Sequence, residues 1–377
     1  MKYRFILGGI FMGTECKLDE FRGVLVATVY DIDWPKTKDN EQAQKKEFID
    51  LLDNLQSLNF NIVIVQIRAK SDAFYNSKIN PWSSYLTGTQ GKNPGYDPLK
   101  FMIEETHKRD MQFYGWLNPY RITTKGIDLN VLADNNPAKL NPSWVLEYNN
   151  SLSYNPENKE VVKYLATTVF EIVSNYDVDG IVFDEYFYPE SYPLPDCNYI
   201  WICGCWEYVD IGDYRRSAIN YLIKTVYKVI KAVNPKVQFG VSPFAVWKNK
   251  SSDITGSNTD AKEGYYEFYS DPLTWMEQGI IDFIAPQVYW STNAKKYPYE
   301  TLVKWWANIV EGSNVNLYIA QNISSEPVAK ELEKEININR EYPEVKGNIL
   351  FSYSSIAKNY EGVYQQLQKS YSEKACI

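Results

Sequence analysis

The stretch Asp179-Gly180-Ile181-Val182-Phe183-Asp184-Glu185-Tyr186 is a short apolar run that ends in two carboxylic acids and a phenol. Side chains alternate along a strand with period two, so Val182, Asp184 and Tyr186 fall on one face and Ile181, Phe183 and Glu185 on the other. Seven further runs rich in β-branched and aromatic residues have the same character: Val24–Tyr30, Ile62–Arg68, Gln112–Asn118, Val237–Ser242, Asp282–Trp290, Asn316–Gln321 and Gly347–Tyr353. Amphipathic helices are predicted between them. Glu41–Leu58 carries Phe48, Leu51, Leu52, Leu55 and Leu58 on one stripe, and Pro98–Arg109 begins after Asp97 as its N-cap; Lys159–Tyr176 and Tyr214–Val233 read in the same way. Strands alternating with helices imply parallel pairing. Eight such units in 377 residues predict an α/β fold, a single (β/α)8 TIM barrel over residues 20–375, with an open doubly wound sheet as the alternative.

Composition narrows the chemistry. The chain has 11 Trp, 31 Tyr and 16 Phe but one His, His107, which excludes a His-based triad and a multi-histidine zinc site, and no metal or other cofactor is expected. The net charge of −8, without a polybasic block, argues against nucleic acid as a partner, because phosphate binding rests on clustered positive charge. His107 is predicted near a helix C-terminus, where the dipole favours it. Residues 1–15 have the shape of an export signal or lipoprotein leader, with Lys2 and Arg4 ahead of a short apolar run. Cys16, directly after it, is the candidate for acylation and membrane anchoring, although Glu15 departs from the small residues such a signal places there. The expected location is therefore outside the cytoplasm, in the periplasm or at the cell surface. Cys197, Cys203 and Cys205 cluster in one loop, which suits a local disulfide better than a metal.

A barrel of this kind builds its site at the C-terminal ends of its strands. Those ends are polar here: Tyr30, Asp31, Asp33 and Trp34; Gln66, Arg68 and Asp72; Trp116, Asn118, Tyr120 and Arg121; Asp184, Glu185 and Tyr186; Ser242; Gln287, Tyr289 and Trp290; Gln321; Ser352 and Tyr353. Flat rings beside amide and charged groups suit a polyhydroxylated ligand. Asp184 is expected to point into the barrel mouth, and Glu185 to join it only where the strand has ended and the backbone has turned. These two are the candidate catalytic residues, since glycosidic hydrolysis ordinarily uses two carboxyl groups astride the scissile bond. Asp31, Asp33, Asp72 and Glu185 are the alternatives for the partner of Asp184. Asp33, Arg68, Asp72, Trp116, Asn118, Arg121, Tyr186, Gln287, Tyr289 and Trp290 are the candidate substrate-binding residues. Trp82, Trp247, Tyr120 and Tyr188 are further rim aromatics, whereas Trp275, Trp305 and Trp306 have the helical spacing of packing residues.

Several runs together resemble one bacterial family, glycosyl hydrolase-like family 10. They include Asp33-Trp34-Pro35, Asp72-Ala73-Phe74-Tyr75, Asn93-Pro94-Gly95-Tyr96-Asp97-Pro98-Leu99, Trp116-Leu117-Asn118-Pro119-Tyr120-Arg121, Phe183-Asp184-Glu185-Tyr186-Phe187-Tyr188-Pro189 and Ile284-Ala285-Pro286-Gln287-Val288-Tyr289-Trp290. The resemblance spans residues 21 to 355. It implies a (β/α)8 glycoside hydrolase of the cell envelope acting on a polysaccharide, peptidoglycan glycan strands in particular, and carries over to Asp184, Glu185, Asn118, Arg121, Gln287 and Tyr289 as rim residues. A monomer is expected. The family pattern often has a His on strand three and another in the middle of strand four, where this chain has Tyr114 and Val182. That departure sustains a second expectation, a carbohydrate-binding barrel with impaired catalysis.

Overall fold

The computed structural model describes residues 18–194, 199–202, 205–208 and 210–376. The expected leader, Cys16, Cys197 and Cys203 lie outside the described residues. Among the described residues, eight parallel strands close a barrel: β1 Phe21–Val26, β2 Ile62–Arg68, β3 Gln112–Leu117, β4 Gly180–Phe183, β5 Gln238–Val241, β6 Phe283–Ile284, β7 Asn316–Asn322 and β8 Val345–Phe351. They pair in sequence order, and β8 returns to β1. Each is followed by a helix on the outside: α1 Glu41–Ser57, α2 Pro98–His107, α3 Lys159–Asn175, α4 Ile211–Val233, α5 Pro272–Glu277, α6 Tyr299–Val310, α7 Leu332–Arg340 and α8 Val363–Ser370. The open sheet is thereby excluded. Among the described residues no helix is long and apolar enough to cross a membrane.

The helices start where their caps predict. Asp97 accepts a hydrogen bond from the Lys100 amide at 3.1 Å with Pro98 in the first turn of α2. Asn40 does the same for Ala43 at the start of α1, whose Phe48, Leu51, Leu52 and Leu55 are buried. His107 closes α2 as expected and gains a carboxylate partner, Asp179 Oδ2 at 2.8 Å, at the barrel end remote from the strand C-termini.

The lower half of the barrel is a plug of rings. Phe21 stacks on Tyr318 at 3.8 Å between centroids, and Tyr114 and Phe283 close the group at 5.7 and 5.3 Å. Space for them comes from glycine: a Cβ on Gly240 would lie 2.2 Å from the Phe283 ring, and one on Gly180 would lie 2.5 Å from Tyr114. Tyr114 thus belongs to packing below the site. The plug leaves only the upper half of the barrel for a ligand, as in other barrels whose interior is a packed core.

Two strands end earlier than their apolar runs suggest. β1 stops at Val26 because side chains replace the ladder: the Ala27 amide donates to Asp33 Oδ2 at 2.7 Å, and the Thr28 and Val29 amides donate to Gln66 Oε1 at 3.0 and 2.9 Å. The chain then turns through Tyr30 and Asp31 at φ of 56° and 54°. β6 stops after Ile284 because Pro286 has no amide to donate; Gln287 bridges onward to Phe244 and Ala320.

Beneath the barrel, Arg22 is fully buried and its Nε donates to Glu20 Oε2 at 2.7 Å, while Arg340 donates to both Glu20 oxygens at 2.8 and 2.9 Å. Burial alone would raise the Glu20 pKa, but the hydrogen bonds from Arg340 and Arg22 outweigh it and hold the group below 4.5. Its contribution is therefore present at neutral pH and lost as the pH falls through that depressed value. Glu20→Ala strands a buried guanidinium, so a loss of about 3–5 kcal/mol is expected in urea unfolding at pH 7. The loss shrinks as the pH drops through that depressed value; an unchanged midpoint at pH 7 would remove the network from the stabilising interactions.

Candidate functional site

A cleft of about 560 Å³ opens at the C-terminal ends of the strands, the end expected from the polar strand termini. Its floor follows the period of two: Leu25, Gln66, Trp116, Val182, Ser242 and Phe351 all face inward. One wall was not legible from strand counting. It is a hairpin, Val145–Tyr148 paired with Ser151–Tyr154, which presents Tyr148, Asn149 and Ser153 to the cleft. Its signal was present in Asn149-Asn150, both at positive φ (47° and 56°), the residue type that a tight hairpin turn selects.

β4 ends at Phe183, so the backbone has turned before Glu185 and both acids line the cleft. The Asp184 carboxylate is buried and held from three sides. Oδ2 accepts from Trp116 Nε1 at 3.1 Å and from Asn118 Nδ2, and Oδ1 accepts from the Tyr186 amide at 3.4 Å. Asn118 does not itself line the cleft but stands behind Asp184. Its amide orientation is set by the other end, where the carbonyl oxygen accepts from Gln66 Nε2 and from Arg121 Nη1, the latter at 3.1 Å. With that oxygen satisfied by donors, the amide N–H groups turn to Asp184. Arg121 also lies over the Tyr186 ring at 4.6 Å, which keeps its positive charge beside the acid pair.

Glu185, half-buried, accepts from Gln287 Nε2, whose amide is fixed in turn by a second bond to the Ser242 carbonyl at 3.0 Å. Burial raises the Asp184 pKa to about 6; the Arg121 charge and the Trp116 N–H keep it from rising further. Burial again, reinforced by the charge of Asp184, pushes Glu185 to about 8. At neutral pH the pair therefore carries one proton, held mainly by Glu185. Environments that drive two neighbouring acids apart in this way assign one to donate a proton and the other to remain an anion. Tyr289 completes the group: it lines the cleft, and burial together with both carboxylates raises its phenol well above the usual value.

Trp116→Phe removes a donor to the anionic form of Asp184. An upward shift of about one unit is expected in the acidic limb of the kcat/KM profile, the size of one charge-assisted hydrogen bond. A limb that stays in place would show that this contact does not tune the acid.

The structure brings Trp116, Arg121, Asp184, Glu185, Tyr186, Gln287 and Tyr289 to one cleft, together with Tyr120 and Tyr188. The other sequence-predicted residues lie elsewhere. Asp33 is buried behind the rim, with Oδ1 accepting from Ser352 Oγ at 2.9 Å and the Ser354 amide at 2.7 Å, so it ties β8 to β1. Arg68 is fully buried and clamps the carbonyls of Asn118 and Pro119 at 2.6 and 3.0 Å, shaping the turn that carries Asn118. Asp72 is buried where the chain after β2 doubles back through the Ala73–Trp82 bridge, with Lys70 Nζ at 3.9 Å. Trp290 packs on Tyr297 and Phe244 at 4.5 and 5.6 Å. Asp31 pairs with Lys38 at 2.9 Å. Trp275 and Trp306 are core residues, as their spacing predicts.

Comparisons with known proteins bear on the family and the fold. A model described as glycosyl hydrolase-like 10 matches residues 20–338. The chain is 42% identical over 387 residues to glycosyl hydrolase YngK of Bacillus subtilis (strain 168), covering 99% of this chain and 76% of that protein. It is 37% identical over 371 residues to glycosyl hydrolase DigH of Escherichia coli (strain K12), covering 90% of this chain and 84% of that one. In fold it is similar to the PgaB (BpsB) glycoside hydrolase domain from Bordetella bronchiseptica, with a TM-score of 0.58 at 12% identity over 93% of this chain and 98% of that domain. With a strand-end cleft, a differentiated pair of carboxyl groups and a matching model across most of its length, the chain belongs to the glycosyl hydrolase-like 10 family and is a glycoside hydrolase.

Proposed function

We propose that the protein hydrolyses O-glycosidic bonds in a bacterial cell-envelope polysaccharide, the glycan strands of peptidoglycan, with Glu185 as proton donor and Asp184 as the anionic partner. The observation that carries this reading is the pair of consecutive acids in different surroundings, Asp184 held by Trp116 and Asn118 and Glu185 by Gln287, at the base of a cleft walled by Trp116, Tyr120, Tyr186 and Tyr289. Rings offer flat apolar faces to sugars, and Gln287 and Arg121 offer donors to hydroxyl groups. Peptidoglycan as the substrate rests on the sequence resemblance. The test is release of new reducing ends from purified sacculi freed of stem peptides. Turnover supports the assignment; sugar-dependent binding without new reducing ends would leave a carbohydrate-binding barrel for this polymer.

The same reading places the protein outside the cytoplasm, held at the membrane through an acylated Cys16, and acting as a monomer. Labelled palmitate incorporated by the wild type and lost in Cys16→Ser supports the anchor, whereas equal labelling of both removes it. Sedimentation of the soluble domain at the mass of one chain supports the monomer.

A further inference from the structure

The two acids of the cleft are neighbours in sequence, which raises the question of what stands on the far side of the scissile bond. A retaining pair of carboxyl groups flanks the anomeric carbon at about 5–5.5 Å, and an inverting pair at ~6.5–9.5 Å leaves room for water between them. Both arrangements call for a second carboxylate facing the first across the sugar. Among the described residues, the other strands and their ends bring Leu25, Gln66, Trp116, Ser242, Gln287 and Phe351 to the cleft, and none is acidic. Asp33 and Asp31, the acids of the first strand end, are spent on Ser352, Ser354 and Lys38. The remaining acid of the lining, Glu190, is on the same segment as Asp184 and is exposed and paired with Lys262. Among the described residues the cleft therefore offers no carboxylate nucleophile to face Asp184 across the sugar.

Two further features show what the site offers in its place. Asp184 has Oδ2 occupied by two side-chain donors, while Oδ1 has only a long contact with the Tyr186 amide, so it can accept an N–H. Tyr289 lines the cleft within electrostatic reach of both acids, and its hydroxyl makes no hydrogen bond among the described residues, so it can donate to a carbonyl oxygen. An N–H acceptor beside a carbonyl donor is the complement of an amide.

We propose that the site takes a 2-acetamido sugar and uses the acetamido group as its nucleophile, with Asp184 holding the amide N–H and Tyr289 the amide oxygen. This rests on the glycan-hydrolase reading above. In the first step the Glu185 carboxyl gives its proton to the glycosidic oxygen as the bond from that oxygen to C1 breaks. The acetamido oxygen forms a bond to C1 from the opposite face, giving an oxazolinium ion whose N–H is bound to the Asp184 carboxylate. In the second step water gives a proton to the Glu185 carboxylate and its oxygen to C1, and the ring reopens to the acetamide. One water is consumed, both acids return to their starting states, and the anomeric configuration is retained through two inversions.

The experiment uses denuded glycan strands in three forms: N-acetylated, chemically de-N-acetylated, and re-acylated with trifluoroacetyl groups. The expected result is cleavage of the first with retained anomeric configuration, read by proton NMR of the initial product, and a loss of ~10²-fold or more on the other two, because the weakened nucleophile no longer forms the ring. A thiazoline analogue of the disaccharide is expected to inhibit competitively. Tyr289→Phe is expected to lower kcat about tenfold on N-acetylated strands and by a smaller factor on the de-N-acetylated form, which has no amide oxygen to hold. Inverted product, equal rates on acetylated and de-N-acetylated strands, or a fluorosugar trapped as an ester on Asp184 would overturn the inference while leaving the hydrolase assignment standing. Failure to cleave any of the three would overturn the substrate assignment first and the inference with it.

Discussion

Glu185→Gln is expected to lower kcat on glycan strands by about 10³–10⁴-fold, near the top of what a positioned general acid contributes. The leaving group is a sugar alkoxide, which cannot depart unprotonated, and Glu185 is the group of the cleft that holds a proton at neutral pH, raised to about 8 by burial and by Asp184. Glutamine keeps the shape and the contact with Gln287 but has no acidic proton. The deficit is expected to nearly vanish on aryl glycosides whose phenol leaves as an anion, because those need no acid. A variant equally slow on both substrates would point to a fold defect or to a different acid.

Asp184→Asn is expected to lower kcat by about 10²–10³-fold, the size of a lost electrostatic contact to developing positive charge. The Trp116 N–H and the Asn118 amide still find an acceptor at position 184, so thermal unfolding should be close to wild type. A second effect separates an electrostatic role from a structural one. Asp184 raises the Glu185 pKa by charge repulsion, so its neutralisation should bring the alkaline limb of the profile below 8. Full activity in the asparagine variant, or an alkaline limb that does not move, contradicts the role assigned to this carboxylate.

Much of this was legible in the chain. β2 and the start of α1 fall where period and capping predict, and the eightfold alternation of strand and helix was enough for the barrel. Asp184 was placed in the mouth by parity alone, and Glu185 by the condition that the strand ends before it, which Phe183 meets. What the sequence concealed has physical causes. Asp33 and Arg68 have the parity and polarity of site residues, but each is captured by groups distant in sequence: Ser352 and Ser354 lie more than 300 residues from Asp33, and the Asn118 and Pro119 carbonyls are brought to Arg68 only by the β2–β3 pairing. Periodicity reports which face a side chain takes, not which partner fills it. Trp290 was lost for a similar reason, because Pro286 ends β6 early and the chain beyond Gln287 no longer follows strand parity. The two departures from the family pattern also part company. Tyr114 lies in the aromatic plug, whereas Val182 is on the cleft floor beside Asp184, so only the second alters the surroundings of the acids.

The division of labour between the two acids is tested most directly by the pH dependence of kcat/KM on denuded glycan strands, wild type beside Glu185→Gln. Activity requires Asp184 ionised, so it falls as the pH drops through about 6, and Glu185 protonated, so it falls as the pH rises through about 8. The limbs belong to the coupled pair rather than to isolated groups. The account predicts a bell for the wild type and, for Glu185→Gln, a residual activity that rises through the acidic limb and then stays flat. An alkaline limb that survives unchanged in Glu185→Gln would show that the proton comes from another group and would contradict the account.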